Sequence, residues 1–97
     1  MWQQIADGNT IGELGSEGTI ILDEEYKERC CITLEKTDEC YAITCAIYGT
    51  LVHTTFASET DYLIKYDAMK KDLAEFIDHD VHYPESERFC DEFTAKY

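Results

Sequence analysis

The sequence predicts an α+β domain: a four- to five-stranded antiparallel β-meander followed by two C-terminal helices packed on the sheet. Three observations carry this expectation. Residues 40–58 contain no Asp, Glu, Lys or Arg, although the 97-residue chain is 30% charged. Within that stretch two β-rich runs, 41–48 and 51–57, flank Gly49. Beyond it, Tyr62, Tyr66, Met69, Leu73, Phe76 and Ile77 recur at spacings of three and four, the period of an amphipathic helix. One domain spans 1–97, with the sheet over 1–57 and the helical part over 58–97.

Taken in order, 2–6 reads as a first strand, and Asp7-Gly8 as a hairpin signal leading to 10–14. Gly12, Gly15 and Gly18 follow at intervals of three. A glycine-rich loop that cradles phosphate needs a helix N-terminus behind it. Here the β-like run 19–22 follows, so the glycines read as turns and bulges. Asp23, Glu24 and Glu25 close that strand, and 26–28 makes a turn. Residues 29–35 alternate, with Cys30, Ile32 and Leu34 facing one way and Cys31, Thr33 and Glu35 the other. Residues 36–39 form a polar turn into the central hairpin.

A two-residue turn at Gly49-Thr50 suits a type II′ hairpin. It pairs Tyr48 with Leu51, Ile47 with Val52, Ala46 with His53, Cys45 with Thr54, Thr44 with Thr55 and Ile43 with Phe56. Paired residues share a face. One face then holds Ile43, Cys45, Ile47, Val52, Thr54 and Phe56 as core. The other holds Ala42, Thr44, Ala46, Tyr48, Leu51, His53, Thr55 and Ala57. That second face is small and uncharged, which calls for a cover: a helix, a second subunit or a ligand.

Ser58 reads as the N-cap of a helix over 59–78, with Asp61 three residues on. Its stripe is expected to pack on Ile43, Ile47, Val52 and Phe56, while Ile64 falls off the stripe. Residues 79–83 connect to a second helix with Pro84 in its first turn and Phe89, Phe93 and Tyr97 as a narrow apolar stripe.

Charge bounds the function. Eight basic and 21 acidic residues give a formal net charge of −13. That argues against nucleic acid or an anionic membrane as a partner, since both recruit basic surfaces. It permits a basic protein. The N-terminal residues show no signal-peptide pattern, and five cysteines without framework spacing read as free thiols, so a cytoplasmic location is expected.

No catalytic motif, metal site or cofactor site is expected. In the expected register Cys45 and His53 point to opposite faces, which excludes a thiol–imidazole dyad. The run Asp78-His79-Asp80-Val81-His82 is short of the ligands a structural zinc site takes. The acidic groups at 23–25 and 85–92 read as solvated faces rather than acid–base pairs.

Two functional expectations remain. One is a small cytosolic binding module, immunity- or inhibitor-like in physical character, that engages a basic protein through Asp23, Glu24 and Glu25. The other is a homodimer that binds a small ligand on the uncharged face formed by Thr44, Tyr48, His53 and Thr55.

Overall fold

The computed structural model describes residues 1–79 and 85–97, with the side chains of 85 and 86 excepted. Five strands form one sheet: β1 (Trp2–Gln4), β2 (Thr19–Tyr26), β3 (Cys30–Lys36), β4 (Tyr41–Ile47) and β5 (Leu51–Ala57). Two helices follow, α1 (Tyr62–Asp78) and α2 (Glu85–Lys96). Strand order in space is strand order in sequence, and every pairing is antiparallel, so the sheet is a meander as expected. The expected connector beyond His79 and the helix-opening Pro84 lie outside the described residues.

The N-terminal third departs from the expectation. β1 stops at Gln4, and Ile5–Gly8 forms a 3₁₀ turn with positive φ at Ala6, Asp7 and Gly8. The expected strand over 10–14 is absent; Leu14 makes one isolated bridge to Thr19. β2 instead runs longer than expected and carries Asp23, Glu24 and Glu25 inside the strand. The strand tolerates these carboxylates because each has a donor: Thr33 Oγ1 for Asp23, Tyr66 and Lys70 for Glu24, and Tyr48 for Glu25.

The β4–β5 register is one residue away from the expected one. Ile47 pairs with Leu51, Cys45 with His53, Thr44 with Thr54 and Ile43 with Thr55. The loop is therefore 48–50. Thr50 N–H donates to the Ile47 carbonyl at 2.9 Å, and Gly49 has φ +79°. Glycine here takes the third position of a four-residue turn, where a type II turn demands positive φ, and not the first central position of a type II′ turn. A slip of one residue exchanges the faces of β5. Leu51, His53, Thr55 and Ala57 turn toward the helices, and Val52, Thr54 and Phe56 turn away.

Both helices pack on one side of the sheet. Tyr66, Met69, Leu73, Phe76 and Ile77 of α1 are buried against Cys30, Ile32, Leu34, Ile43, Cys45 and Ile47. The expected stripe is thus the buried one, but Val52 and Phe56 are not under it. α1 starts three residues later than expected, with Asp61 as N-cap; the Ser58 carbonyl accepts from the N–H groups of Asp61 and Tyr62. Tyr62 stacks on Tyr41 at 3.7 Å between ring centroids. α2 lies beside α1 through an aromatic ladder, Phe76 to Phe89 at 4.2 Å, Phe89 to Phe93 at 5.5 Å and Phe93 to Tyr97 at 4.8 Å.

Three tyrosine–carboxylate–lysine clamps close the edges of this interface. Tyr66 Oη and Lys70 Nζ donate to Glu24 of β2. Tyr26 Oη and Lys27 Nζ donate to Asp78 at the end of α1. Tyr97 Oη and Lys96 Nζ donate to Asp72, which fastens α2 to α1. Among the described residues no α-helix lies on the opposite side of the sheet, although Asp23, Glu35 and Ala42 on that side are buried. That side carries Asp23, Glu25, Cys31, Thr33, Glu35, Ala42, Thr44, Ala46, Val52, Thr54 and Phe56.

Candidate functional site

The structure separates the four residues expected to share one uncharged face. Thr44 lies on the open side, where its hydroxyl meets that of Thr54 at 3.0 Å. His53 and Thr55 lie under the helices. Thr55 Oγ1 donates to the Tyr97 carbonyl at 2.7 Å. The His53 ring stands edge-on to Phe93, with centroids 6.1 Å apart, and its Nε2 is buried without a hydrogen-bond partner among the described residues. Tyr48 sits in the hairpin loop and donates its phenol to Glu25. Burial and that bond push the Tyr48 phenol up. The register slip is the cause of the separation, since it moves His53 and Thr55 to the face opposite Thr44.

The same slip sets His53 directly opposite Cys45, reversing the expected separation of that pair. Adjacency does not activate the thiol. Cys45 is fully buried, and burial pushes it up to about 12; Cys30, buried beside it, is pushed up to about 11. A nucleophilic cysteine needs the opposite shift. Cys31, on the open side, is also raised, by burial first, with a hydrogen bond from Tyr48 working against that.

The remaining motifs resolve into internal contacts. Asp78 is taken by Tyr26 and Lys27, and His79 Nδ1 meets the Glu75 carbonyl, while Asp80, Val81 and His82 lie outside the described residues. Among the described residues no group of three or more His, Cys, Asp or Glu side chains stands close enough to hold a metal ion. The glycine loop does embrace an anion, but the anion is the chain's own. The backbone N–H groups of Glu17 and Gly18 donate to Oε1 of Glu35 at 3.2 and 3.3 Å, and Glu35 is only 2% exposed. A Cβ on Gly15 would fall 1.9 Å from that oxygen, and one on Gly18 would fall 2.2 Å from the Lys36 carbonyl. Close approach explains the spacing of these two glycines.

The expected acidic patch is divided as well. Asp23 and Glu25 point to the open side and Glu24 to the helix side, as alternation along β2 requires. Asp23 is 8% exposed and holds Thr33. Exposed carboxylates lie elsewhere. Glu17, Asp38 and Glu39, together with Lys36, line a shallow groove of about 450 Å³ at the end of the sheet. A second groove, of about 400 Å³, runs between α1 and α2 with Phe76, Phe89 and Phe93 at its base and Glu75, Arg88 and Glu92 along it.

No protein-family model, curated protein or solved structure matches the chain. Two features stand out. Lys27, Lys70 and Lys96 are each held in an ion pair with a carboxylate, at 2.6, 3.0 and 2.9 Å. Lys65 is turned to the Phe56 carbonyl, and Lys36 lies over the Tyr41 ring. The second feature is the open side of β5, where Val52 is 76% and Phe56 54% exposed. Sequence reading placed both in the core. The signal that identifies them as exposed is the glycine position in the hairpin turn.

Proposed function

We propose that the protein is a small acidic interaction module whose partner is a basic protein, in the physical manner of immunity proteins and inhibitors. The layout of charge carries this reading. The net charge of −13 is not spread evenly over paired groups. Lys96, Lys27 and Lys70 are paired with Asp72, Asp78 and Glu24, and exposed carboxylates such as Glu17, Asp38 and Glu39 lie outside these pairs. A surface of one sign accelerates encounter with a surface of the other and makes it sensitive to salt. The thiols and imidazoles described above offer no activated nucleophile, so binding rather than turnover is the better-supported role. No helix among the described residues is long and apolar enough to cross a membrane.

The test is association kinetics with a captured partner over a range of salt. The association rate is expected to fall several-fold as ionic strength rises through the range in which the screening length shrinks from ~10 Å to ~3 Å. Neutralising Glu17, Asp38 and Glu39 together is expected to slow association in the same way. Glu24→Gln is expected to lower stability instead, because Glu24 holds Tyr66 and Lys70. Association indifferent to both salt and the Glu17, Asp38 and Glu39 substitutions would remove the basis of this reading.

A further inference from the structure

β5 is an edge strand, with β4 on one side and no strand among the described residues on the other. Edge strands of soluble proteins are ordinarily guarded by charge, proline or a bulge. This one reads Leu-Val-His-Thr-Thr-Phe-Ala and has none of these within it. The Phe56 carbonyl is met by the Lys65 ammonium at 3.3 Å, so it points away from β4; this lysine is the one guard on the edge, and a strand pairing here displaces it. Antiparallel ladders alternate, which directs the backbone N–H and C=O groups of Val52, Thr54 and Phe56 to the free edge. Their side chains share the open side of the sheet, where Val52 and Phe56 are exposed.

We propose that β5 pairs antiparallel with β5 of a second copy, about a twofold axis at Thr54, to join two sheets into one. The register is self-complementary. Thr54 of one copy meets Thr54 of the other, and Val52 of each meets Phe56 of the other. Threonine pairs and aromatic–β-branched pairs are favourable cross-strand combinations, and a twofold contact closes on itself.

Charge selects this occupant. Two molecules of net charge −13 repel one another over most of their surfaces. The 40–58 stretch is uncharged, and the proposed register lays Leu51–Ala57 against itself, so no carboxylate faces a carboxylate across the new ladder. A basic strand from another protein would find no acidic residue along β5 to complement it. The proposal does not depend on the basic-partner reading, and the two respond to salt with opposite sign. Screening weakens attraction to a basic partner but relieves repulsion between like-charged copies.

The experiment is sedimentation equilibrium of the full chain at several salt concentrations, with hydrogen exchange at low and high protein concentration. A dimer is expected whose population rises with salt, and the amides of Val52, Thr54 and Phe56 are expected to gain protection as concentration rises. Val52→Lys places a charge opposite Phe56 of the other copy at an exposed position and is expected to raise the dissociation constant at least about tenfold. Ile64→Lys, exposed on α1, is expected to leave it unchanged. A monomer at every salt and concentration overturns the proposal. So does a dimer that survives Val52→Lys, or one whose formation leaves the three amides unprotected, since packing of the open faces against each other would do that.

Discussion

Lys27 and Glu28 turn the corner between β2 and β3 in a conformation that neither side chain favours. Their φ angles are 52° and 57°, and Arg29 N–H closes the turn on the Tyr26 carbonyl at 3.0 Å. Two successive positive φ values match a type I′ hairpin turn, whose usual residues are Asn and Gly. A turn at 26–28 was expected from the sequence; the structure places the loop one residue on, at 27–29, and its type was not legible, because neither usual residue is present. The ion pair of Lys27 with Asp78 offsets part of the strain at the first position. At the second, glycine removes a steric cost of roughly 1 kcal/mol. Glu28→Gly is therefore expected to stabilise the fold by about that amount in urea unfolding. A loss of stability would mean that the Glu28 side chain contributes more than the strain it imposes. His53 is a second residue at odds with its surroundings, because its buried Nε2 has no partner among the described residues.

At the scale of elements, the helices were easier to read than the sheet. The α1 stripe has one period and one face, so Tyr66, Met69, Leu73, Phe76 and Ile77 could be named as buried from spacing alone. β5 has two defensible faces. Val, Thr and Phe alternate with Leu, His, Thr and Ala, and hydrophobicity favours burying the first set. The fold buries the second. The aromatic rings of Phe76, Phe89, Phe93 and Tyr97 already fill the space above that part of the sheet, and small strand residues leave room for them. Only the turn geometry around Gly49 could have decided between the registers. The difference is measurable. Phe76→Ala is expected to cost ~3–5 kcal/mol by opening a cavity, while Val52→Ala is expected to change stability by less than ~0.5 kcal/mol. A large effect at Val52 would restore the expected register. The clamps make a further prediction, about acid. Burial alone would raise the Asp72 carboxyl, but hydrogen bonds from Tyr97 and Lys96 outweigh it and hold it below its usual value. Lys27 and then Tyr26 hold Asp78 low. A carboxylate depressed in the folded state stabilises it above the unfolded value, about 3.9, and that contribution is lost as pH falls through the folded value. The stability of Asp72→Asn is thus expected to fall less steeply than that of the parent below about pH 4. Parallel curves would show that the clamp does not distinguish the two protonation states.

For the whole molecule, charge is the property that sequence reading described best and located worst. The sum of −13 is read directly from the sequence. Its distribution depends on which carboxylates find tyrosines and lysines, and those partners come from 23 to 52 positions away, beyond the reach of local pattern. The order of elements has another consequence, which concerns the growing chain. Every strand pairs with its neighbour in sequence, so the sheet can form as residues 1–57 emerge from the ribosome. Its cover is made last. Until α1 has emerged and docked, Ile32, Leu34, Ile43 and Cys45 lie on an exposed apolar surface. Nascent chains on neighbouring ribosomes would meet through that surface first. The interval between the emergence of β5 and the docking of α1 is thus when this apolar surface is open to aggregation.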